Sequence, residues 1–131
     1  MISIKRKVSF YDCDPAGIIF YSKIFDYCHS AYEELISSFK LNENYWNNEE
    51  YVVPIIKSEA SYSKPIKYGD LINIELKVSQ LKSSSFELEY ICKNENGEVT
   101  NTVKTVHIFV DKKNWEKINI PEVINKKLNA V

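Results

Sequence analysis

Between Ile18 and Phe39 the apolar side chains recur at three- and four-residue steps: Tyr21, Ile24, Phe25, Cys28, Ala31, Tyr32, Leu35 and Phe39. That spacing puts them on one face of an α-helix, predicted over about 20–39, roughly five turns. No glycine or proline interrupts it, and Asn42 and Asn44 mark its exit. On either side the period falls to two. Ile2, Ile4, Val8 and Phe10 alternate with Ser3, Lys5, Lys7 and Ser9. Downstream, Ile72, Ile74, Leu76 and Val78 form one alternating set, and Phe86, Leu88, Tyr90 and Cys92 another. These are half-buried strands. A lone helix with an apolar stripe must bury it, and the only surface large enough is the sheet those strands build.

The remaining punctuation fixes the connections. Residues 51–63 are rich in Val, Ile and Tyr and read as strand, after a polar loop over 41–50. KPIKYGD (64–70) is a turn. Asn94-Glu95-Asn96-Gly97 is a hairpin signal, with Asn-Gly suited to a type I′ turn. Residues 99–110 form a long strand whose Val106, Ile108 and Val110, facing Val103 and Phe109, predict burial on both faces near its end. Pro121 opens a short C-terminal helix at its first position. The expected architecture is a single α+β domain over 1–131, with one long helix against an antiparallel sheet of about five strands. One helix leaves sheet edges uncovered, so a two-fold homo-oligomer is expected.

Composition excludes several functions. The chain has 131 residues, 44% hydrophobic and 13% aromatic, with a net charge of −1. That is neither a disordered chain nor a strongly basic one, and Arg6 is the sole arginine. A nucleic-acid partner is therefore not expected. No apolar run approaches the ~20 residues of a membrane span, and MISIKRKVSF lacks a signal-peptide core. Cys13, Cys28 and Cys92 are odd in number and widely spaced, which reads as reduced thiols in a cytoplasm.

The most unusual segment is DCDPAG (12–17), between the first strand and the long helix. A helix opening carries unpaired N–H groups and a positive dipole end, which can polarise a carbonyl oxygen. Asp14, oriented by Pro15, is the candidate carboxylate to attack that carbonyl or to activate water. The alternative is that Asp12 or Asp14 merely caps the helix. His29 and Glu33, four apart, can meet on one helix face, as a pocket wall or as a surface contact. Cys28 and His29 point about 100° apart and make no dyad. Two distant histidines without a carboxylate cluster predict no zinc site, and His107 reads as a core histidine. The run from Lys82 through Ser83, Ser84 and Ser85 is either an ordinary turn or a phosphate contact.

The strand followed by YDCDPAGIIFYSKIFDYCHSAYEEL, together with P-I-I at 54–56, K-Y-G-D at 67–70 and S-F at 85–86, resembles hotdog-fold acyl-CoA thioesterases of the 4-hydroxybenzoyl-CoA thioesterase class. The segment CHSAYEEL (28–35) is also similar to 1,4-dihydroxy-2-naphthoyl-CoA hydrolases. The resemblance implies a hotdog fold and hydrolysis of a thioester without metal or redox cofactor. It implies Asp14 as nucleophile or general base, and the backbone N–H of Tyr21 as the donor that polarises the thioester oxygen. Lys82 and Ser83 to Ser85 match the region that contacts the CoA nucleotide, at a site formed between subunits of a dimer or tetramer. In the hydroxybenzoyl enzymes an acid on the helix receives the substrate phenol. Here that position is His29, as in the naphthoyl-type enzymes, which favours a larger aromatic acyl group. The phosphate-binding arginines are mostly missing, so either CoA or an acyl carrier protein presents the acyl group. The rival functions are a hotdog enoyl-thioester hydratase or dehydratase using His29 and Glu33, and a non-catalytic acyl-thioester binder.

Overall fold

A computed structural model describes residues 2–131. The chain runs through β1 (Ile2–Lys7), α1 (Lys23–Ser38), β2 (Tyr51–Val52), β3 (Ile55–Tyr62), β4 (Leu71–Leu81), β5 (Ser85–Lys93), β6 (Val99–Ile108), β7 (Val110–Asp111) and α2 (Glu122–Asn129). Five strands form one antiparallel sheet in the order β1-β4-β5-β6-β3, and β2 pairs with β7. The expected α+β arrangement of one long helix on a five-stranded antiparallel sheet, the hotdog fold, is present.

The period-two pattern decides the faces. On β4 and β5 every second residue is buried, from Ile72 to Leu76 and from Phe86 to Cys92. The opposite face is wet and carries ion pairs such as Lys93–Glu75 at 2.7 Å and Lys77–Glu89 at 3.1 Å. Against the inner face α1 buries Ile24, Tyr27, Cys28, Ala31, Tyr32, Leu35 and Ile36. Full burial of Ile24, Leu35 or Ile36 stabilises by about 1.5–3 kcal/mol each. α2 closes the same core with Ile124 and Leu128. Among the described residues no helix is long and apolar enough to cross a membrane.

Several expectations need correction. The helix begins at Lys23, not 20, and its buried stripe is rotated. Tyr27 and Ile36 lie inside, while Phe25 is half-buried and Tyr21 exposed. The rotation leaves Phe25 and His29 half-covered, one turn apart on the open side of the helix, with Tyr21 just ahead of its first residue. Phe10 does not continue β1 inward. It sits in a 3₁₀ turn over Phe10–Asp12, 74% exposed, with its ring edge-on to Tyr68. The 51–63 segment splits at Val53-Pro54 into β2 and β3, because proline has no N–H for a ladder. On β6 the buried residues are Asn101, Val103, Thr105 and His107, with Val106 and Ile108 only half-covered. Both-face burial is confined to Phe109 and Val110. The hairpin at 94–97 forms, but only Gly97 has a positive φ, +77°. The Gly97 N–H donates to Asn94 O and the Asn94 N–H to Glu98 O. That is a type I turn closed by a left-handed glycine, not a type I′ turn. Pro121 precedes the first helical residue of α2 instead of occupying it.

Candidate active site

The segment between β1 and α1 folds into a small hairpin. Asp14 N–H donates to Ile18 O at 2.9 Å and Phe20 N–H to Asp12 O at 2.8 Å, with Cys13 bridged to Ile19. Gly17, at φ +81°, closes its tip through a bond to Asp14 O. This bracket returns the chain to Asp12 just before the helix, so Tyr21 lies next to the hairpin that carries Asp14.

Neither aspartate caps α1. Its N-cap, Ser22, makes no side-chain capping bond. Asp14 is half-buried, and one of its carboxylate oxygens accepts the Ala16 N–H at 2.8 Å. Among the described residues the other oxygen has no partner. Asp12 is instead tied down. Tyr27 Oη donates to it at 2.7 Å and Lys23 Nζ stands 3.9 Å away. Burial, then the bond to Asp12, pushes the Tyr27 phenol up to about 12. Partial burial and the neighbouring Asp12, Asp14 and Asp70 push the Cys13 thiol up, which disfavours its thiolate.

The Tyr21 N–H has no partner among the described residues, while the Tyr21 carbonyl accepts a 2.6 Å bond from Tyr62 Oη on β3. Tyr62 thus fixes the backbone at the helix entrance, a role sequence reading missed. A cleft of about 260 Å³ opens beside the hairpin, lined by Ile18, Ile19, Tyr62, Pro65, Ile66 and Asn101. A second cavity, of about 230 Å³, lies against α1 between Phe25, Cys28 and His29, with Ile55 on β3 and Tyr90 and Thr105 on the sheet.

His29 lines that second cavity. Its Nδ1 meets Glu33 Oε2 at 3.0 Å, and its ring stands 5.8 Å from Trp46. Glu33 itself points to solvent. Lys82 and Ser83 to Ser85 lie elsewhere. They make the β4–β5 turn, where Ser84 is buried and the Ser83 and Ser84 carbonyls receive the Ile120 and Phe109 N–H groups. Asp14 belongs to the opposite end of the sheet, where Val8 bonds Asp70 just before β4. The eleven residues of β4 separate the two ends by about 33 Å. Within one chain, then, Asp14 and Tyr21 belong to the same hairpin-to-helix segment, with Asp14 opposite Ile18 and Asp12 opposite Phe20, while His29 sits along the helix and the serine turn is remote.

His107 is a core histidine, as expected, stacked on Phe86 at 4.7 Å. Among the described residues no three His, Cys, Asp or Glu side chains converge as metal ligands do.

A profile described as the thioesterase-like superfamily matches residues 8–128. The chain belongs to this family. Curated relatives include a 1,4-dihydroxy-2-naphthoyl-CoA hydrolase of Prochlorococcus marinus (strain NATL2A), 30% identical over 95% of this chain and 84% of that protein. One of the same name from Thermosynechococcus vestitus is 27% identical over 90% and 82%. Among solved structures, a 1,4-dihydroxy-2-naphthoyl-CoA thioesterase from Synechocystis superposes with a TM-score of 0.91 at 21% identity, covering 98% of this chain and 96% of that one. A gentisyl-coenzyme A thioesterase superposes at 0.85 with 20% identity, over 97% and 99%. These two confirm the hotdog fold.

Proposed function

We infer that this thioesterase-family chain hydrolyses an aromatic acyl-CoA thioester to a carboxylic acid and free CoA. The observation that carries the reading is the hairpin over 12–20. It carries an Asp14 carboxylate whose second oxygen has no partner among the described residues, and it leads into a Tyr21 N–H that likewise has none there, with the Tyr21 carbonyl held by Tyr62. An N–H held there before the substrate arrives stabilises the negative charge that develops on the thioester oxygen. Asp14 serves in one of two ways. It attacks the carbonyl carbon, expelling the CoA thiolate and leaving a mixed anhydride that water opens, or it takes a proton from water while the hydroxide attacks. The names of the relatives support a naphthoyl- or benzoyl-type acyl group, and His29 in place of an acid favours the larger.

The distance between Asp14 and the serine turn supports a site shared by two subunits. β3 is a sheet edge with Ile55, Ile56 and Tyr62 exposed. Two such edges paired antiparallel across a two-fold axis place the Ile55 end of one beside the Tyr62 end of the other. Ile55 pairs with His107, and His107 with Phe86, so the serine turn belongs to the Ile55 end. The partner's Lys82 to Ser85 turn then comes round to the Asp14 side, where it can meet a CoA or carrier-protein phosphate. Three unbonded cysteines support a reducing, cytoplasmic setting.

The test is a thiol-release assay over aliphatic, benzoyl and naphthoyl CoA esters, with Asp14→Asn alongside. Wild type is expected to turn over aromatic esters, and the variant to lose on the order of 10³-fold or more while melting at the same temperature. Full activity in the variant overturns the assignment. Hydration of an enoyl thioester without thiol release points instead to the hydratase.

A further inference from the structure

The cavity against α1 has a polar floor. Tyr90 Oη lies 3.0 Å from Thr105 Oγ1, which lies 2.7 Å from His107 Nε2. Tyr90 and Thr105 both line the cavity, and His107 stands behind them, wholly buried. Among the described residues the other ring nitrogen, Nδ1, has no partner. Burial, with His29 nearby as a lesser cause, holds the His107 pKa down to about 3, so the imidazole is neutral and carries one N–H.

The position of that hydrogen orders the whole line. On Nδ1 it is a buried donor with no acceptor, the rarer and costlier defect. On Nε2 it donates to Thr105 Oγ1, and only a lone pair is left bare. Thr105 then has its own hydrogen to give, and Tyr90 Oη is the side-chain acceptor in reach. Having accepted, Tyr90 holds an O–H hydrogen that no group among the described residues takes, at the wall of the cavity.

We propose that Tyr90 is a specificity-determining hydrogen-bond donor, and that the cavity takes an aromatic acyl ring bearing an acceptor oxygen, a hydroxyl, phenolate or ring carbonyl, remote from the thioester. Thr105 and His107 are positioning residues that turn the Tyr90 hydrogen toward the ligand. The cavity's 230 Å³ is below the ~300 Å³ of pockets that enclose a drug-sized ligand, so it holds a ring and leaves the CoA outside. Phe25, which lines the cavity, follows Tyr21 by four residues, about 6 Å along the helix direction, a span that an aromatic acyl group covers. The proposal rests on the acyl-thioester reading above and deepens it.

The experiment compares CoA thioesters that differ only in ring hydroxyls, for example 2-naphthoyl and 1,4-dihydroxy-2-naphthoyl. The quantity read is the ratio of their kcat/KM values in wild type and in Tyr90→Phe. Wild type is expected to favour the hydroxylated ester by about tenfold, the size of one neutral hydrogen bond, and the variant to bring the ratio near one. No preference in wild type, or an unchanged ratio in the variant, overturns the proposal. Calorimetry with the matching free acids reads the same preference without turnover. If wild type cleaves no thioester, the hydrolase reading fails while the binding ratio still decides the role of Tyr90. Should Tyr90→Phe fail to fold, Thr105→Val keeps the phenol but removes its hydrogen-bond donor, and the ratio is expected to fall several-fold. An unchanged ratio there also counts against the proposal.

Discussion

Acid should unfold this protein partly through a single histidine. His107 is 0% exposed, packed between Phe86 and Tyr32, and its pKa lies near 3 against an ordinary 6.5. Burial is the main cause and the positive charge of His29 the lesser one. Above pH 6.5 the side chain is neutral whether the chain is folded or not, and it contributes nothing to the pH dependence. As the pH falls below 6.5 the unfolded chain binds a proton that the folded chain refuses, so stability falls with pH until about 3. At pH 4 the gap spans 2.5 pH units, which is about 3 kcal/mol at ~1.4 kcal/mol per unit. Carboxylates also titrate in that window, so the measurement is a difference. Urea unfolding of wild type and His107→Gln is followed from pH 7 to pH 4. The variant has no imidazole there and is expected to be less stable at pH 7, because the stack on Phe86 is lost, but to lose about 3 kcal/mol less on acidification. Parallel curves for the two proteins refute the buried neutral imidazole, and with it the tautomer assigned to the Tyr90–Thr105–His107 line.

Two further outcomes are expected. Tyr62→Phe removes only the hydroxyl that holds the Tyr21 carbonyl, and should lower kcat roughly tenfold with little effect on KM, since it loosens a donor used in the transition state. A rise in KM alone would show that Tyr62 serves binding. Light scattering should report a dimer or tetramer, and a fully active monomer would contradict a site completed across β3.

What the sequence made legible is what lies within a few residues along the chain. The stripe of α1 and the alternation of β4 and β5 are local periods that showed the helix and the faces of the sheet, and the short turns between strands implied antiparallel pairing. What stayed hidden depends on contacts between distant segments. Tyr62 reaches Tyr21 across 41 residues, and Tyr90 meets Thr105 across 15. On sequence grounds both tyrosines were strand material, although Thr105 and His107, two apart, already shared a face with Tyr90 on a neighbouring strand. The Asn-Gly hairpin shows a subtler limit. Its location is local information, but its turn type followed from Asn94, whose side chain accepts the Asn96 and Glu98 N–H groups and keeps Asn96 out of the left-handed region.

Asp12 and Asp14 show why a motif needs a fold before it assigns chemistry. They stand two residues apart in DCDPAG, and on sequence grounds only Pro15 favours Asp14 as the candidate acid, while either could cap the helix. The phenol of Tyr27, one turn inside α1, reaches only Asp12, and Lys23 stands beside it as well. One Asp12 oxygen is bound by the phenol and the other faces the ammonium at 3.9 Å, so this carboxylate joins hairpin and helix. Asp14 spends one oxygen on the turn that holds it in place and keeps the other open. The first acid ties the hairpin to the helix, and the second keeps, among the described residues, one oxygen without a partner, the difference that the Asp14→Asn assay puts to the test.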